Sequence, residues 1–349
     1  MLTFCTLFDS NYLDKGLVLY DSMERVMEEF CLYILAMDKR CYEILNDMKL
    51  KNVCLISLEE FEDQELLKIK AERSRAEYCW TCTASLIDYV FEVYKEDYCT
   101  YIDSDLCFYK NPKVLLEEML QANCSVQIVE HGFGKGIIAK EKIKDAGKYC
   151  VQFNTFKNDS YGREILSTWK KQCRNYCSML PREMGDQKYL SDWEEKYEKV
   201  HVLQHQGGGV APWNLFRFCL SDKDGFLIDK KTKERFELIF YHFHHLEYLD
   251  ESHVNMNVFK KELNVDENLV YQIYIPYLKT MDKIKKMLHQ NYGIKPLITK
   301  HPGHMKQTKF EKIKELLGMN PARIIYRFRD KVAYSKGKEK DLLNLKEYM

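Results

Sequence analysis

The sequence lacks several features that would assign it to a common class of protein. It contains no apolar run near the roughly 18 residues that a transmembrane helix needs, so we expect no membrane span. Its 53 basic and 53 acidic residues leave no net charge, which argues against a nucleic acid as the main partner. The apolar segment 1–8 is short, has no basic flank and runs into Asp9, so we expect no signal peptide and a cytoplasmic protein.

Two further signatures are missing. The 13 cysteines are scattered, and the CxxC pair formed by Cys79 and Cys82 has no second pair at zinc-site spacing. We therefore expect reduced, buried thiols. The glycine-rich segment 130–136 matches neither a Walker A motif nor a dinucleotide fingerprint. We interpret it as a mobile loop that serves as a lid or an acceptor loop.

Apolar runs alternate with helical patterns in the first sixty residues. The residue pattern predicts, in chain order, a strand over 2–8, a helix over 16–30, a strand over 31–37, a helix over 38–50 and a strand over 53–56. This order predicts an α/β fold with a mostly parallel central sheet flanked by helices. In such sheets ligands bind beyond the carboxyl ends of the strands.

The same patterns predict elements further along the chain. They are helices over 59–70, 71–92, 114–121 and 162–177 and strands over 125–129, 149–156 and 238–246. We predict a main domain over 1–250 and a helical, basic appendage over 251–349. From His301 onward there are 12 basic and 6 acidic residues, and two interpretations stand: contact with an anionic membrane surface, or a solvated helix packed on the main domain.

Two carboxylates, Asp103 and Asp105, follow a short run of strand-forming residues and are separated by Ser104. A charge at the end of a buried strand is costly unless it is paired, hydrogen-bonded or bound to a metal. Hard oxygen ligands suit Mg²⁺ or Mn²⁺, which keep positions open for phosphate oxygens. The pair therefore predicts a metal and diphosphate site. The alternative is an Asp-Ser-Asp turn that caps its own backbone.

Three later stretches also carry candidate residues. Asp186 and Gln187 lie at a predicted helix start, where the alternative role is an N-cap. The glycines 207–209 precede Trp213 and Asn214, a stretch that either faces a sugar or forms a plain loop. On a strand over 238–246, His242 and His244 would point to one face, which is typical of metal ligands.

Taken in order, these motifs resemble a known family. Thr-Leu-Phe-Asp-Ser-Asn-Tyr, Tyr-Ile-Asp-Ser-Asp-Leu, Gly-Asp-Gln-Lys-Tyr-Leu, Pro-Trp-Asn and a late His-Phe follow one another as in the GT-A nucleotide-sugar transferases. Within these transferases the order resembles that of glycosyltransferase family 8, the glycogenin and bacterial lipopolysaccharide galactosyltransferase group. The resemblance covers about residues 1–250 and implies the GT-A fold.

The resemblance also implies roles for individual residues. Asp103 and Asp105 would bind Mn²⁺ or Mg²⁺, Asp186 would contact the transferred sugar, and Gln187 would lie beside its anomeric carbon. The residues implied in holding the UDP-sugar are Thr6, Leu7, Asp9, Asn11, Tyr12, Arg73 or Arg75, Asp103, Ser104, Asp105, Asn154, Trp213, Asn214 and His244.

The third metal ligand in this family is a histidine. His205 fits the family by its spacing before Pro212, whereas His242 fits by its order after Trp213-Asn214, with His244 as a near rival. We favour order, and thus His242. The chain departs from the family where a glycine after Asn154 is replaced by Phe156, and where no Lys-Pro-Trp follows the histidine.

The resemblance implies a metal-dependent retaining enzyme that transfers a hexose from a UDP-sugar to a saccharide or lipid-linked acceptor, in bacterial surface polysaccharide assembly. The basic C-terminus would allow peripheral contact with the inner face of the membrane. One alternative is a degenerate domain that binds without catalysis. A nucleotidyltransferase would need a glycine-rich basic loop after the first strand, which residues 9–12 do not provide.

Overall fold

The computed structural model describes residues 1–180, 183, 185–221, 226–259, 264–295, 298 and 339–348. These form two compact units, which we describe separately. The first unit comprises Met1–His131, Asp145–Val210 and Phe236–His242, and the second comprises Gly132–Lys144, Ala211–Arg235 and Phe243–Met349. The predicted boundary near residue 250 stays a prediction.

The strands are short except in the central sheet. In chain order they are β1 (Leu2–Phe8), β2 (Phe30–Ala36), β3 (Val53–Ser57), β4 (Tyr98–Ile102), β5 (Leu106–Phe108), β6 (Val126–Glu130), β7 (Tyr149–Lys157), β8 (Val200–Val202), β9 (Gly208–Val210), β10 (Phe218–Leu220), β11 (Leu227–Asp229), β12 (Arg235–Phe236), β13 (Phe240–His242), β14 (Glu247–Tyr248), β15 (His253–Asn255) and β16 (Leu342–Asn344).

The helices range from one turn to seven turns. They are α1 (Leu13–Val26), α2 (Lys39–Met48), α3 (Leu58–Phe61), α4 (Gln64–Lys70), α5 (Arg75–Tyr89), α6 (Lys113–Gln121), α7 (Ile137–Ala146), α8 (Ser160–Asn175), α9 (Trp193–Lys196) and α10 (Glu267–Tyr292).

A seven-stranded sheet forms the centre of the first unit, in the order β3-β2-β1-β4-β7-β6-β8. β1 is parallel to β2 and β4, β2 is parallel to β3, and β6 is parallel to β8. Only β7 breaks the pattern among these strands, since it runs antiparallel to both β4 and β6. The predicted α/β fold with a mostly parallel sheet is therefore confirmed.

Aromatic side chains fill the space between this sheet and its helices. Trp169 on α8 stacks on Phe156 of β7 with ring centroids 5.8 Å apart, and Trp193 meets Trp169 edge-on at 5.6 Å. All three rings are buried. Burial of one such side chain contributes about 1.5–3 kcal/mol, so this cluster anchors α8 and the segment that carries Asp186.

The predicted helix over 59–70 is two helices. Ser57 and Glu60 form a capping box that starts α3, and the side chain of Asp63 accepts a hydrogen bond from the Leu66 N–H at 2.8 Å to start α4. Likewise the helix predicted over 71–92 begins only at Arg75, because Ser74 and Glu77 form a second capping box. Such caps set helix starts that hydrophobic periodicity does not locate.

A second, smaller sheet in the first unit has the order β5-β13-β9. β13 pairs antiparallel with β5, and His242 lies opposite Leu106. The strand predicted over 238–246 is wrong in length, since β13 ends at His242 and His245 adopts a φ of 61°. His242 and His244 therefore do not share the face of one strand.

The second unit contains the predicted C-terminal helix, α10. Asp266 caps its N-terminus by accepting from the Leu269 N–H, and Gly293 ends it with a φ of 68°. Tyr277 of α10 stacks on Phe243. No helix within the described ranges is long and apolar enough to cross a membrane. The basic region predicted to contact a membrane, 301–338, lies outside the described residues.

Candidate active site

The carboxylate pair lies directly after β4, at the carboxyl end of a central strand. The Asp103 N–H donates to the Gln152 carbonyl at 3.1 Å, and the Leu106 N–H donates to the Asp103 carbonyl at 3.3 Å. This tight turn separates β4 from β5 and directs both carboxylates to the same side. Ser104, between them, is buried.

His242 joins the pair from β13. Its Nε2 lies 3.0 Å from Asp105 Oδ1 and 3.8 Å from Asp103 Oδ2. One ligand atom from each of the three residues lies within 4.8 Å of the other two, and among the described residues this is the only such group of three. β4, β5 and β13 thus bring together residues that are about 140 positions apart in the chain.

The three side chains perturb one another. Partial burial raises the pKa of Asp103 to about 6, although the charge on His242 opposes this. Burial acts in the same sense on Asp105, but the adjacent His242 outweighs it and lowers the pKa of Asp105. Asp105 in turn raises the pKa of His242 against its burial. In the absence of another cation, the positive charge of protonated His242 compensates the negative charge of the carboxylates.

The donor set fits a divalent metal ion. His242 Nδ1 faces Gln152 Oε1 at 2.7 Å, so Nδ1 carries a proton and Nε2 is left to face the two carboxylates. Two carboxylate oxygens and one imidazole nitrogen suit Mn²⁺ or Mg²⁺, and both ions prefer the oxygen ligands to the nitrogen. The exposed fraction of the side chain rises from 4% for His242 to 14% for Asp105 and 30% for Asp103. The site is therefore open on the side of Asp103.

The two rival histidines have other surroundings. Nδ1 of the His205 ring accepts from the Gly207 N–H at 3.2 Å, and the backbone N–H of His205 donates to Glu118 Oε2 at 3.0 Å. The ring of His244, in the second unit, contacts Trp213 edge-on at 5.2 Å. Neither belongs to the group of three ligands.

The predicted nucleotide residues form a turn after β1. Asp9 Oδ1 accepts from the Asn11 and Tyr12 N–H groups at 2.8 and 3.2 Å, and its other oxygen pairs with Arg75. Arg75 also donates to Asp38 Oδ2 at 2.9 Å. The Tyr12 ring is 40% exposed and so is available for stacking. Leu7 and Thr6, earlier on β1, are buried, and Thr6 Oγ1 has no hydrogen-bond partner among the described residues.

Arg73 and Arg75 differ in what they contact. Arg73 donates to the carbonyls of Cys173 and Arg174 at 2.6 Å each, so it closes the end of α8. Arg75 is half exposed and lies beside Asp9. Of the two arginines that the sequence left open, only Arg75 contacts a residue of the predicted nucleotide pocket.

Asp186 is buried and does not cap the helix that follows it. Burial raises its pKa to about 7; a hydrogen bond with Thr83 opposes this, and the charge of Asp103 adds to it. The alternative role as an N-cap is therefore wrong. Gln187, half buried, donates from Nε2 to the Ala146 carbonyl at 2.7 Å, which orients its amide.

The remaining predicted residues are Asn154 in the first unit and Trp213 and Asn214 in the second. Asn154 is fully buried on β7, opposite Tyr101. In the second unit, Asn214 Oδ1 accepts from the Ala211 N–H at 2.9 Å, and Trp213 is buried. Their contact with a sugar stays a prediction.

The glycines 207–209 are explained by contacts within the protein. A Cβ on Gly207 would lie 1.9 Å from the Glu237 carbonyl oxygen, and one on Gly208 would lie 2.6 Å from Leu203. Other residues of this same chain therefore occupy the space beside these glycines that a ligand would need.

Two residues near the metal group escaped the sequence analysis. The charge of Lys15 lowers the pKa of both Asp105 and His242, and its Nζ is 4.1 Å from the Tyr12 ring centroid. A cation in the first turn of a helix opposes the helix dipole, a signal that could have singled it out. Gln152 lies in an apolar strand pattern and gave no signal.

Sequence comparison relates this chain to two proteins of Bacillus subtilis (strain 168). It is 32% identical to the uncharacterized protein YfnF over 247 residues, which cover 69% of this chain and 80% of YfnF. The chain belongs to the YfnF family. It is also 27% identical to the uncharacterized protein YfnD over 285 residues, or 80% of this chain and 88% of YfnD. No protein-family model matches this member of the YfnF family.

Similar solved structures include two sugar transferases. One is the galactosyltransferase LgtC, solved in complex with donor and acceptor sugar analogs. The match covers 81% of this chain and 96% of the LgtC chain, with 13% identity and a TM-score of 0.49. The other is mouse xyloside xylosyltransferase 1. That match covers 70% of this chain and 98% of the transferase chain, with 13% identity and a TM-score of 0.46. At this level of agreement neither similarity carries an argument about activity.

Proposed function

We propose that this protein is a metal-dependent retaining glycosyltransferase of the GT-A type, which transfers a hexose from a UDP-sugar to a saccharide or lipid-linked acceptor. The observation that carries the proposal is the convergence of Asp103, Asp105 and His242 at the carboxyl end of β4. Two carboxylates and a neutral imidazole form an incomplete ligand set, which leaves positions for the oxygens of a diphosphate.

The metal held by these three residues would act as a Lewis acid that neutralises the charge developing on the leaving diphosphate. Mn²⁺ fits the mixed oxygen and nitrogen ligands better than Mg²⁺, because imidazole suits transition metals more than it suits Mg²⁺. Lys15, whose charge acts on Asp105, supplies a further positive charge. Lys15 would contact the diphosphate, in place of the Lys-Pro-Trp lysine that the resembled family has and this chain lacks.

The turn after β1 would hold the nucleoside. Tyr12 stacks on the uracil, and Asp9, whose geometry is set by Arg75 and two backbone N–H groups, lies at the base and ribose. Arg75 keeps more than half of its side chain accessible while it pairs with both Asp9 and Asp38. Its guanidinium therefore has the freedom to contact a phosphate as well.

Asp186 and Gln187 would hold the sugar. Asp186 contacts hydroxyl groups of the hexose, and the tethered amide of Gln187 lies by the anomeric carbon. An amide is not a general base, so the leaving phosphate oxygen would take the acceptor proton as the acceptor oxygen bonds to the anomeric carbon and the bond from that carbon to the diphosphate breaks. Attack on the face from which the diphosphate leaves would retain the configuration. The role in bacterial surface polysaccharide assembly, and contact with the inner face of the membrane, rest on the sequence resemblance alone.

The test is hydrolysis of a panel of UDP-sugars by the protein with and without Mn²⁺, compared with Asp105→Asn. Asp97→Asn is the matched control, because Asp97 is exposed and lies at the opposite end of β4. We expect Mn²⁺-dependent hydrolysis by the wild type and by Asp97→Asn, and a loss with Asp105→Asn. Equal hydrolysis by all three would exclude the metal role.

Titration with UDP separates the enzyme from a binding module. Binding that strengthens with Mn²⁺ but is never followed by turnover would favour a non-catalytic module. UDP binding that does not depend on Mn²⁺ would contradict the metal-dependent enzyme and would fit the non-catalytic module.

A further inference from the structure

Gln152 on β7 contacts two of the three metal-binding candidates. Its backbone carbonyl accepts the Asp103 N–H at 3.1 Å, and its side-chain Oε1 accepts from His242 Nδ1 at 2.7 Å. These ligands belong to different sheets, because Asp103 follows β4 of the central sheet and His242 ends β13 of the smaller one. One buried residue thus sets the position of both.

The hydrogen bond also determines which nitrogen of His242 carries the lone pair. An amide oxygen only accepts, so Nδ1 must donate and carry the proton. The lone pair of the neutral ring is then on Nε2, the atom 3.0 Å from Asp105 Oδ1. If the ring carried its proton on Nε2 instead, it could not bind a metal between the carboxylates.

The protein encloses the Gln152 amide. Gln152 is fully buried, and its Nε2 has no hydrogen-bond partner among the described residues. Gly209 lies against it, since a Cβ there would be 3.4 Å from Gln152 Nε2 and 2.7 Å from Val129. Gly209 has a φ of 130°, which a side chain would strain. A buried amide nitrogen without a partner costs stability.

We propose that Gln152 is a positioning residue that presents His242 Nε2 to the metal ion. This inference rests on the proposed function, because it assumes that Asp103, Asp105 and His242 bind an ion. Groups that accept from the non-ligating nitrogen of a metal-bound histidine fix its tautomer, and their loss weakens metal binding by about 10- to 100-fold.

The first test is the dissociation constant of Mn²⁺ for the full chain, measured by titration calorimetry. Gln152→Met keeps the length of the side chain but removes the strong acceptor. Gln152→Glu keeps an acceptor. Gln127→Met is the matched control, because Gln127 is fully buried in β6 of the same sheet and its amide has no partner among the described residues.

We expect Gln152→Met to raise the dissociation constant by about 10- to 100-fold, while Gln152→Glu and Gln127→Met stay near the wild-type value. An unchanged constant in folded Gln152→Met overturns the inference. So does an equal loss in Gln127→Met, since the effect would then belong to the core in general. If Gln152→Met fails to fold, a loss of binding in folded Gln152→Glu also overturns it.

The second test needs no metal. Nitrogen-15 NMR of the histidine rings, at a pH where His242 is neutral, should show the proton on Nδ1 in the wild type and a mixture of both tautomers in Gln152→Met. A proton on Nε2 in the wild type refutes the positioning role. A wild type that keeps the Nδ1 proton but binds no Mn²⁺ refutes the proposed function instead, so the two failures are distinguishable.

Discussion

Binding of Mn²⁺ should displace a proton from His242, and its affinity should therefore depend on pH. In the metal-free protein Asp105, 3.0 Å from Nε2, raises the pKa of His242. Below that pKa one proton must leave for each ion bound, so the dissociation constant should increase about tenfold for each unit of falling pH, or ~1.4 kcal/mol. Below about 6, Asp103 is protonated as well, and the slope should approach two protons.

The direction of this pH dependence follows from the competition between protons and Mn²⁺ for the same ligand atoms. At high pH all three ligands are deprotonated and affinity is greatest, and it decreases as protons occupy His242 and then Asp103. The assay is calorimetric titration with Mn²⁺ at several pH values from about 5 to 8, repeated in buffers of different ionisation enthalpy to count protons.

Thermal unfolding provides an independent measure. An ion at 100 times its dissociation constant stabilises the folded state by about 2.7 kcal/mol, so the Mn²⁺-induced rise in Tm should shrink as pH falls. His242→Gln, which has no proton to lose, should bind more weakly and with a shallower slope. A dissociation constant that is the same at pH 5 and pH 8, at about equal ionic strength, would refute the proton competition and with it the three-ligand site.

Three further predictions concern single side chains. Lys15→Met should raise the KM for the UDP-sugar at least about tenfold, since a charged hydrogen bond contributes ~1.5–3 kcal/mol; an unchanged KM would remove Lys15 from the diphosphate. Asp186→Asn should lower kcat by about 10²-fold with little change in UDP affinity, because it misplaces the sugar alone. Gly207→Ala should lower the free energy of unfolding by about 1–3 kcal/mol in a denaturant titration, because its Cβ would lie 1.9 Å from the Glu237 oxygen; wild-type stability would contradict that clash.

The carboxylate pair was predictable because its signal is local. Asp103 and Asp105 follow an apolar run directly, and the chemistry of two adjacent carboxylates at a strand end holds in whatever fold surrounds them. The strand and helix order of the first sixty residues was predictable for the same reason. The lengths were less so: α3 and α4 separate at Asp63, whose side chain caps a new helix, and hydrophobic spacing does not contain that information.

The contacts that complete the site are of a different kind. His242 reaches Asp105 only because β13 pairs with β5, and Gln152 reaches His242 only because β7 lies beside β4. His205 and His244 match the same residue type, so the local pattern could not choose among the three. The sequence left two roles open for the glycines 207–209, because the Glu237 carbonyl that lies against Gly207 is distant in sequence.

Local chemistry thus established which residue types this protein uses at the ends of its strands, since a strand, a cap or a carboxylate pair depends on neighbours a few positions away. Strand pairing established which histidine faces the carboxylates and which buried amide orients the ring, and the packing of α5 established which arginine lies beside Asp9. Those choices depend on contacts between segments far apart in the sequence, and such contacts form only once the sheets and helices are assembled.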